Sequence, residues 1–159
     1  MEVCDLGGGN GFLLERGTTE WTNRYARGFK RRGQIATTMT TLINHDPEVL
    51  AGRMGAIDNL LVGMAVELPG DDLFERFDVI VAQNSVFFWS HYPELALLNM
   101  YKMLKPGGVI LVTVPIAPQP VAGDEVLDMG DLVWECELFS CEPIAESAED
   151  VRFRLEKAK

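Results

Sequence analysis

The sequence predicts an α/β protein, a doubly wound and mostly parallel sheet that finishes in a C-terminal antiparallel hairpin. Three observations carry this. The chain opens on Val3-Cys4-Asp5-Leu6 and then Gly7, Gly8, Gly9 and Gly11, the shape of a buried strand, a tight turn and a helix start. Downstream, short β-branched or apolar runs alternate with stretches of helical period, as in βαβ units. The run Asp78-Val79-Ile80-Val81-Ala82-Gln83 is apolar enough to be buried on both faces, as strands inside parallel sheets are.

Taken in order, residues 12–32 read as helical with a break at Gly17-Thr18-Thr19. From Thr19 on, Trp21, Tyr25 and Phe29 recur along one face, while Arg24, Arg27, Lys30, Arg31 and Arg32 supply the other. The stretch 19–33 is thus an amphipathic helix with a solvated basic side, or a docking element for an acidic partner. Gly33 ends it. Gln34–Ile43, rich in β-branched residues, predicts the second strand. Asp46 reads as the N-cap and Pro47 as the first turn of a helix reaching about Ile57. Asn59–Met64 is a short third strand, Gly70-Asp71-Asp72 a turn, and Asp78–Gln83 the fourth strand. A helix is expected from about Pro93 to Leu104, with Leu97, Tyr101 and Leu104 on one face. Lys105-Pro106-Gly107-Gly108 breaks it before a fifth strand, Val109–Val114. Residues 116–131 read mostly as loop. Leu132–Phe139 and Val151–Leu155, around a Pro143–Asp150 turn, predict a hairpin on the sheet edge.

At 159 residues with 24% charged and 47% hydrophobic side chains, the chain suits a single globular domain, 1–159. Its net charge of −10 is uneven. Residues 1–45 hold six Lys/Arg against four Asp/Glu, and residues 46–159 hold eight against twenty. Such an acidic surface repels phosphate backbones, which disfavours a nucleic-acid partner unless the small basic segment acts alone. Cys4, Cys136 and Cys141 form no CxxC pair and cannot all pair with one another, which points to a reducing compartment rather than secretion. The two histidines, His45 and His91, stand in no metal-ligand spacing, so no metal is expected. With no long apolar run and no basic start leading into one, the sequence reads as an intracellular, cytoplasmic protein that does not enter a membrane.

The opening loop is the candidate binding site, because glycines leave no Cβ between backbone and ligand, and a helix start presents unpaired N–H groups. A purely structural glycine turn is the bland alternative. Asp5-x-Gly7-x-Gly9-x-Gly11 resembles the first motif of the class I S-adenosylmethionine-dependent methyltransferases. It fits G-x-G-x-x-G poorly, since Phe12 stands where the last glycine should fall. An acid just before the loop sits badly near a pyrophosphate and suits a ligand carrying a sulfonium and an amino group. Phe77-Asp78-Val79-Ile80-Val81 and Leu104-Lys105-Pro106-Gly107-Gly108 resemble the later motifs of the same family, and Val66-Glu67-Leu68-Pro69 resembles its "E-L-P" stretch. The resemblance covers nearly all of residues 3–115 and implies a Rossmann-like methyltransferase fold, with 19–33 as an insertion or a remodelled first helix.

The resemblance also implies roles. S-adenosylmethionine is the implied cofactor, with Asp5 helping to hold its amino end and Gly7, Gly8, Gly9 and Gly11 allowing close backbone approach. Asn44-His45-Asp46-Pro47-Glu48-Val49-Leu50 aligns with "D-x-S-P-E-M-L", which puts Asn44 where the family has an acid for the ribose; Asn accepts without a charge. Asp46 is a fallback ribose ligand, its other reading being the N-cap. Met64 stands where the family often has an Asp for the adenine amino group, and can only pack against the ring; the Ala65 N–H remains for a ring nitrogen. Gln83, Asn84 and Ser85, then Phe87, Phe88 and Trp89, follow the fourth strand at the substrate-facing end, with Gln83 a further cofactor contact. The catalytic group is left unnamed. His91 or Tyr92 could take a proton from an acceptor hydroxyl, against the bland reading of loop residues, and the aromatic trio is as readily core or interface. Met1 lies close to the first strand, where the family carries a covering helix. Either another chain covers the site, or it is open, or the gene product is shortened.

The expected function is therefore S-adenosylmethionine-dependent methyl transfer to a small-molecule or protein acceptor. The alternative is a catalytically inactive methyltransferase-like module used for binding or assembly. A nicotinamide oxidoreductase is limited by the glycine spacing.

Overall fold

The computed structural model describes residues 1–7, 39–52, 58–63, 65, 67, 70–83 and 85–159. The expected basic helix at 19–33, most of the glycine loop and the first half of the second predicted strand lie outside these residues.

Among the described residues, seven strands form the main sheet in the order β3-β2-β1-β4-β5-β9-β8. They are β1 (Glu2–Leu6), β2 (Met39–Asn44), β3 (Asn59–Val62), β4 (Phe77–Ala82), β5 (Leu104–Pro115), β8 (Ser140–Glu146) and β9 (Asp150–Glu156). The strands from β3 across to β5 are parallel. β9 runs antiparallel to β5, and β8 antiparallel to β9. A separate two-stranded ribbon joins β6 (Gln119–Pro120) to β7 (Val126–Leu127). The chain works outward from β1 through β2 to β3, then returns to β4 on the other side of β1. That reversal opens a crevice at the carboxyl ends of the strands.

Helix α1 (Pro47–Ala51) starts as expected, with the Asp46 side chain accepting from the Glu48 N–H. Its described part ends at Ala51, and 53–57 lie outside. A four-residue helix α2 (Val86–Trp89) follows β4. Helix α3 (Pro93–Met103) buries Ala96, Leu97, Met100 and Met103 and begins with Pro93, the spacing of one apolar face. Leu104 caps that helix, its N–H donating to Met100 O and Tyr101 O, rather than extending it. It already belongs to β5, opposite Phe77.

The fifth strand thus differs from its expectation of Val109–Val114. Leu104 pairs with Phe77 and Val109 with Val79, so Lys105 to Gly108 bow out of the ladder between them. Gly107 makes the bow possible at φ +73°, a region costly for any residue with a Cβ. Its N–H donates to Lys157 O at 3.0 Å, and the Lys157 N–H donates to Gly108 O at 3.1 Å.

The C-terminal hairpin also shifts. Leu132–Phe139 is not a strand: Met129–Trp134 is helix α4, capped by Asp128, which accepts from the Gly130 and Asp131 N–H groups. The cap offers the chain local bonds that an apolar-run reading does not weigh. The hairpin pairs 140–146 with 150–156 instead, turning at Ser147. The stretch 116–131 therefore holds two short strands and the start of α4 within its loops. One core cluster draws on residues from Cys4 to Leu155, and a smaller one under β2 joins Val3, Leu42 and Leu50.

Candidate functional site

β1 ends in Asp5, Leu6 and Gly7. Cys4 and Leu6 enter the large core, and Asp5 shares the opposite face with Val3 by strand alternation. Asp5 is wholly buried, and neither carboxylate oxygen meets a donor among the described residues. Burial pushes its carboxyl from the ordinary 3.8 up to about 7. Burial first, and the Asp5 carboxylate second, push the Cys4 thiol well up. Gly7 sits at φ +69°, and a Cβ there would stand 3.0 Å from the Ser85 Cβ. Its N–H donates to Ile43 O at 2.8 Å. Gly8, Gly9 and Gly11 lie outside the described residues.

At the end of β2 the side chains are engaged locally. Asn44 is buried, and its Oδ1 accepts the Asp46 N–H at 2.9 Å. Asp46 Oδ1 accepts the Glu48 N–H at 2.9 Å, so the N-cap role is the one the geometry displays. His45, between them, is exposed. Past β3, the Gly63 N–H donates to Asn44 O at 3.0 Å, and Ala65 O accepts from Asn99 Nδ2 at 2.9 Å. Met64 lies outside the described residues.

Beyond β4, Gln83 is half-buried. Ser85 is buried and its Oγ donates to Leu6 O at 3.0 Å. Phe87 is fully buried in the core and Phe88 half-buried; Asn84 and the Trp89 side chain are outside the description. His91 and Tyr92 are both exposed, and His91 O accepts from the Ala122 N–H at 3.0 Å, which holds the β6–β7 ribbon beside it.

These strand ends share a cavity of about 320 Å³. Leu6 and Gly7 line it from β1, His45 from β2, Gly63 and Ala65 from β3, and Ser85, His91 and Tyr92 from the segment after β4. The structure thus gathers Gly7, Ala65, His91 and Tyr92 of the sequence candidates. Asn44, Gln83 and Asp5 do not line the cavity; Asp5 immediately precedes Leu6, which does. Ser85, which the sequence placed at the substrate-facing end of the fourth strand, lines the cavity too; sequence reasoning missed His45 and Gly63. His45 was legible in principle, as it directly follows Asn44 in the aligned motif. Among the described residues no group of three or more His, Cys, Asp or Glu could hold a metal ion.

Residues 4–112 match the sequence profile of a methyltransferase domain. The chain belongs to the class I S-adenosylmethionine-dependent methyltransferases. No curated protein matches the chain in sequence. Solved structures share its fold at low identity. The N-methyltransferase NodS of Bradyrhizobium japonicum WM9 is similar over 99% of this chain and 86% of its own, with 16% identity and a TM-score of 0.63. The CurJ carbon methyltransferase is 12% identical, with a TM-score of 0.71 over 100% of this chain and 49% of its own. The Burkholderia thailandensis 1,6-didemethyltoxoflavin-N1-methyltransferase, solved with bound S-adenosylhomocysteine, gives 14% identity and a TM-score of 0.60 over 99% and 71%. In this chain the cavity lies at the reversal of strand order, where open α/β sheets bind their ligands.

Proposed function

We propose that this cavity binds S-adenosylmethionine and that residues 1–159 act as one domain passing its methyl group to a small-molecule or protein acceptor. The observation that carries the reading is Asp5. A buried carboxylate with no donor among the described residues is unfavourable for folding alone. A ligand with an ammonium group supplies the missing charge and donor. The residues present fit that ligand. Asp5 would hold the amino end, and the Leu6–Gly7 main chain would lie against it. His45, Gly63 and Ala65 would flank the nucleoside, and the acceptor would enter beside His91 and Tyr92. When bound, the cofactor supplies an electrophilic methyl on a sulfonium. The protein's part is alignment: the cavity walls hold the acceptor atom in line and exclude water. His91 or Tyr92 would take the acceptor's proton where it has one to lose. Gly8, Gly9, Gly11 and Met64 enter this reading from sequence alone, as do Asn44 and Gln83 as cofactor contacts. A protein partner covering the cavity belongs to it as well.

Asn44 favours a second reading. Its Oδ1 is engaged by the Asp46 N–H and Asp46 caps its helix, which weakens any ribose contact and suits an inactive binding or assembly module. Titration calorimetry with S-adenosylmethionine and S-adenosylhomocysteine separates the two. We expect both to bind and Asp5→Ala to abolish binding; no binding of either by the wild-type protein at millimolar ligand overturns the proposal.

A further inference from the structure

Ser85 occupies the N-cap position of α2, yet its side chain makes no cap hydrogen bond. Serine at such a position ordinarily accepts from the first turn. Here the hydroxyl turns the other way and donates to Leu6 O at 3.0 Å, in a buried contact. The carbonyl of Leu6 and the N–H of Gly7 belong to one planar peptide unit. Its N–H end is bonded to Ile43 O on β2 at 2.8 Å, and its C=O end to Ser85 beyond β4. The plane is thereby gripped from both neighbouring strands, at the residue where φ becomes positive. The fit is close on that side, with the Ser85 Oγ 3.3 Å from where a Gly7 Cβ would be.

We infer that Ser85 is a positioning residue, gripping the Leu6–Gly7 peptide so that this stretch of main chain keeps the orientation its ligand requires. The inference rests on the proposed S-adenosylmethionine site for its consequence, but the grip itself is a property of the chain. Ser85 also begins the segment running to His91 and Tyr92, so one hydroxyl ties the cofactor side of the cavity to the acceptor side.

The test compares Ser85→Ala and Ser85→Thr with the wild-type protein by two readouts. Amide hydrogen exchange at Gly7 reports the grip without any ligand, and calorimetric affinity for S-adenosylhomocysteine reports its consequence. A buried carbonyl left without its donor predicts roughly tenfold faster exchange at Gly7 and roughly tenfold weaker binding in Ser85→Ala. Exchange at Val3 and Cys4 should be unchanged. Ser85→Thr, which keeps the hydroxyl, should stay within about threefold of wild type. Unchanged Gly7 exchange in Ser85→Ala overturns the inference, as does a Ser85→Thr protein that behaves like Ser85→Ala. Wild-type protein that binds no ligand sinks the proposed function instead, and Gly7 exchange then decides the inference by itself.

Discussion

Because burial raises the Asp5 carboxyl to about 7, the folded protein holds a proton there that the unfolded chain releases near 3.8. An acid raised in this way contributes its full stability below pH 3.8, and the contribution is lost as pH climbs towards and past 7. At pH 8 the charge is present and penalised. Asp5→Asn should therefore be more stable than wild type at pH 8, by on the order of 2 kcal/mol, and close to it at pH 4, measured by urea denaturation at both values. The same variant should lose S-adenosylmethionine, since a neutral amide cannot meet an ammonium as a carboxylate does. Wild-type affinity should rise with pH up to about 7 and level off above it. Asp5 was legible as a candidate because Asp5-x-Gly7-x-Gly9-x-Gly11 resembles the family's first motif; its burial without a donor among the described residues was not. Asn44 was legible as a departure, but its engagement with Asp46 depends on how the chain turns after β2. Ser85 was legible as a residue of the substrate-facing end but not as a brace, since its bond to Leu6 O joins segments 79 residues apart.

At the scale of elements, the Lys157 side chain anchors the junction of α3 and β5 just ahead of the bow. Lys157 is 6% exposed, and its Nζ donates to Leu104 O at 2.8 Å and to Tyr101 O at 3.2 Å. It also pairs with Glu75 at 3.2 Å and lies 4.4 Å from the Tyr101 ring centroid. Leu104 O lies at the start of β5, and Tyr101 O, which also accepts the Leu104 N–H, lies in the last turn of α3. Lys157→Met, which keeps the stem and removes the donor, should cost about 3 kcal/mol. A melting temperature lowered by roughly 6–12 °C in thermal denaturation checks this. The helix stop at Lys105-Pro106-Gly107-Gly108 was readable from composition. The bow was not, because its bonds come from a residue some fifty positions later. The hairpin strand 140–146 escaped notice for a related reason. It is an edge strand, mostly exposed, so Ser140-Cys141-Glu142-Pro143 carries no apolar run. Pro143 is tolerated there, beside a register shift between Pro143 and Ala145.

Across the whole molecule, motif order foretold the parallel part of the sheet: a strand before the glycines, one before Asp46, one at Phe77 and one after the Pro-Gly-Gly break. Motifs say nothing of which late strand docks on β5. The answer, β9 rather than β8, is set by Phe153 and Leu155 entering the core while β8 stays at the rim. None of the described helices is long and apolar enough to cross a membrane. Cutting the chain after Glu149 removes both β9 and Lys157. The remainder should show no cooperative thermal transition by circular dichroism, whereas the Lys157→Met protein keeps one.

That late docking has a consequence for biosynthesis. A nascent chain leaving the ribosome carries β5 before its second neighbour, since the strand that pairs there among the described residues, β9, begins only at Asp150. Until β9 has been made and docked, the unfinished polypeptide offers an open strand to its neighbours. Holding crowded copies of it apart during that interval is work for the cell's chaperones.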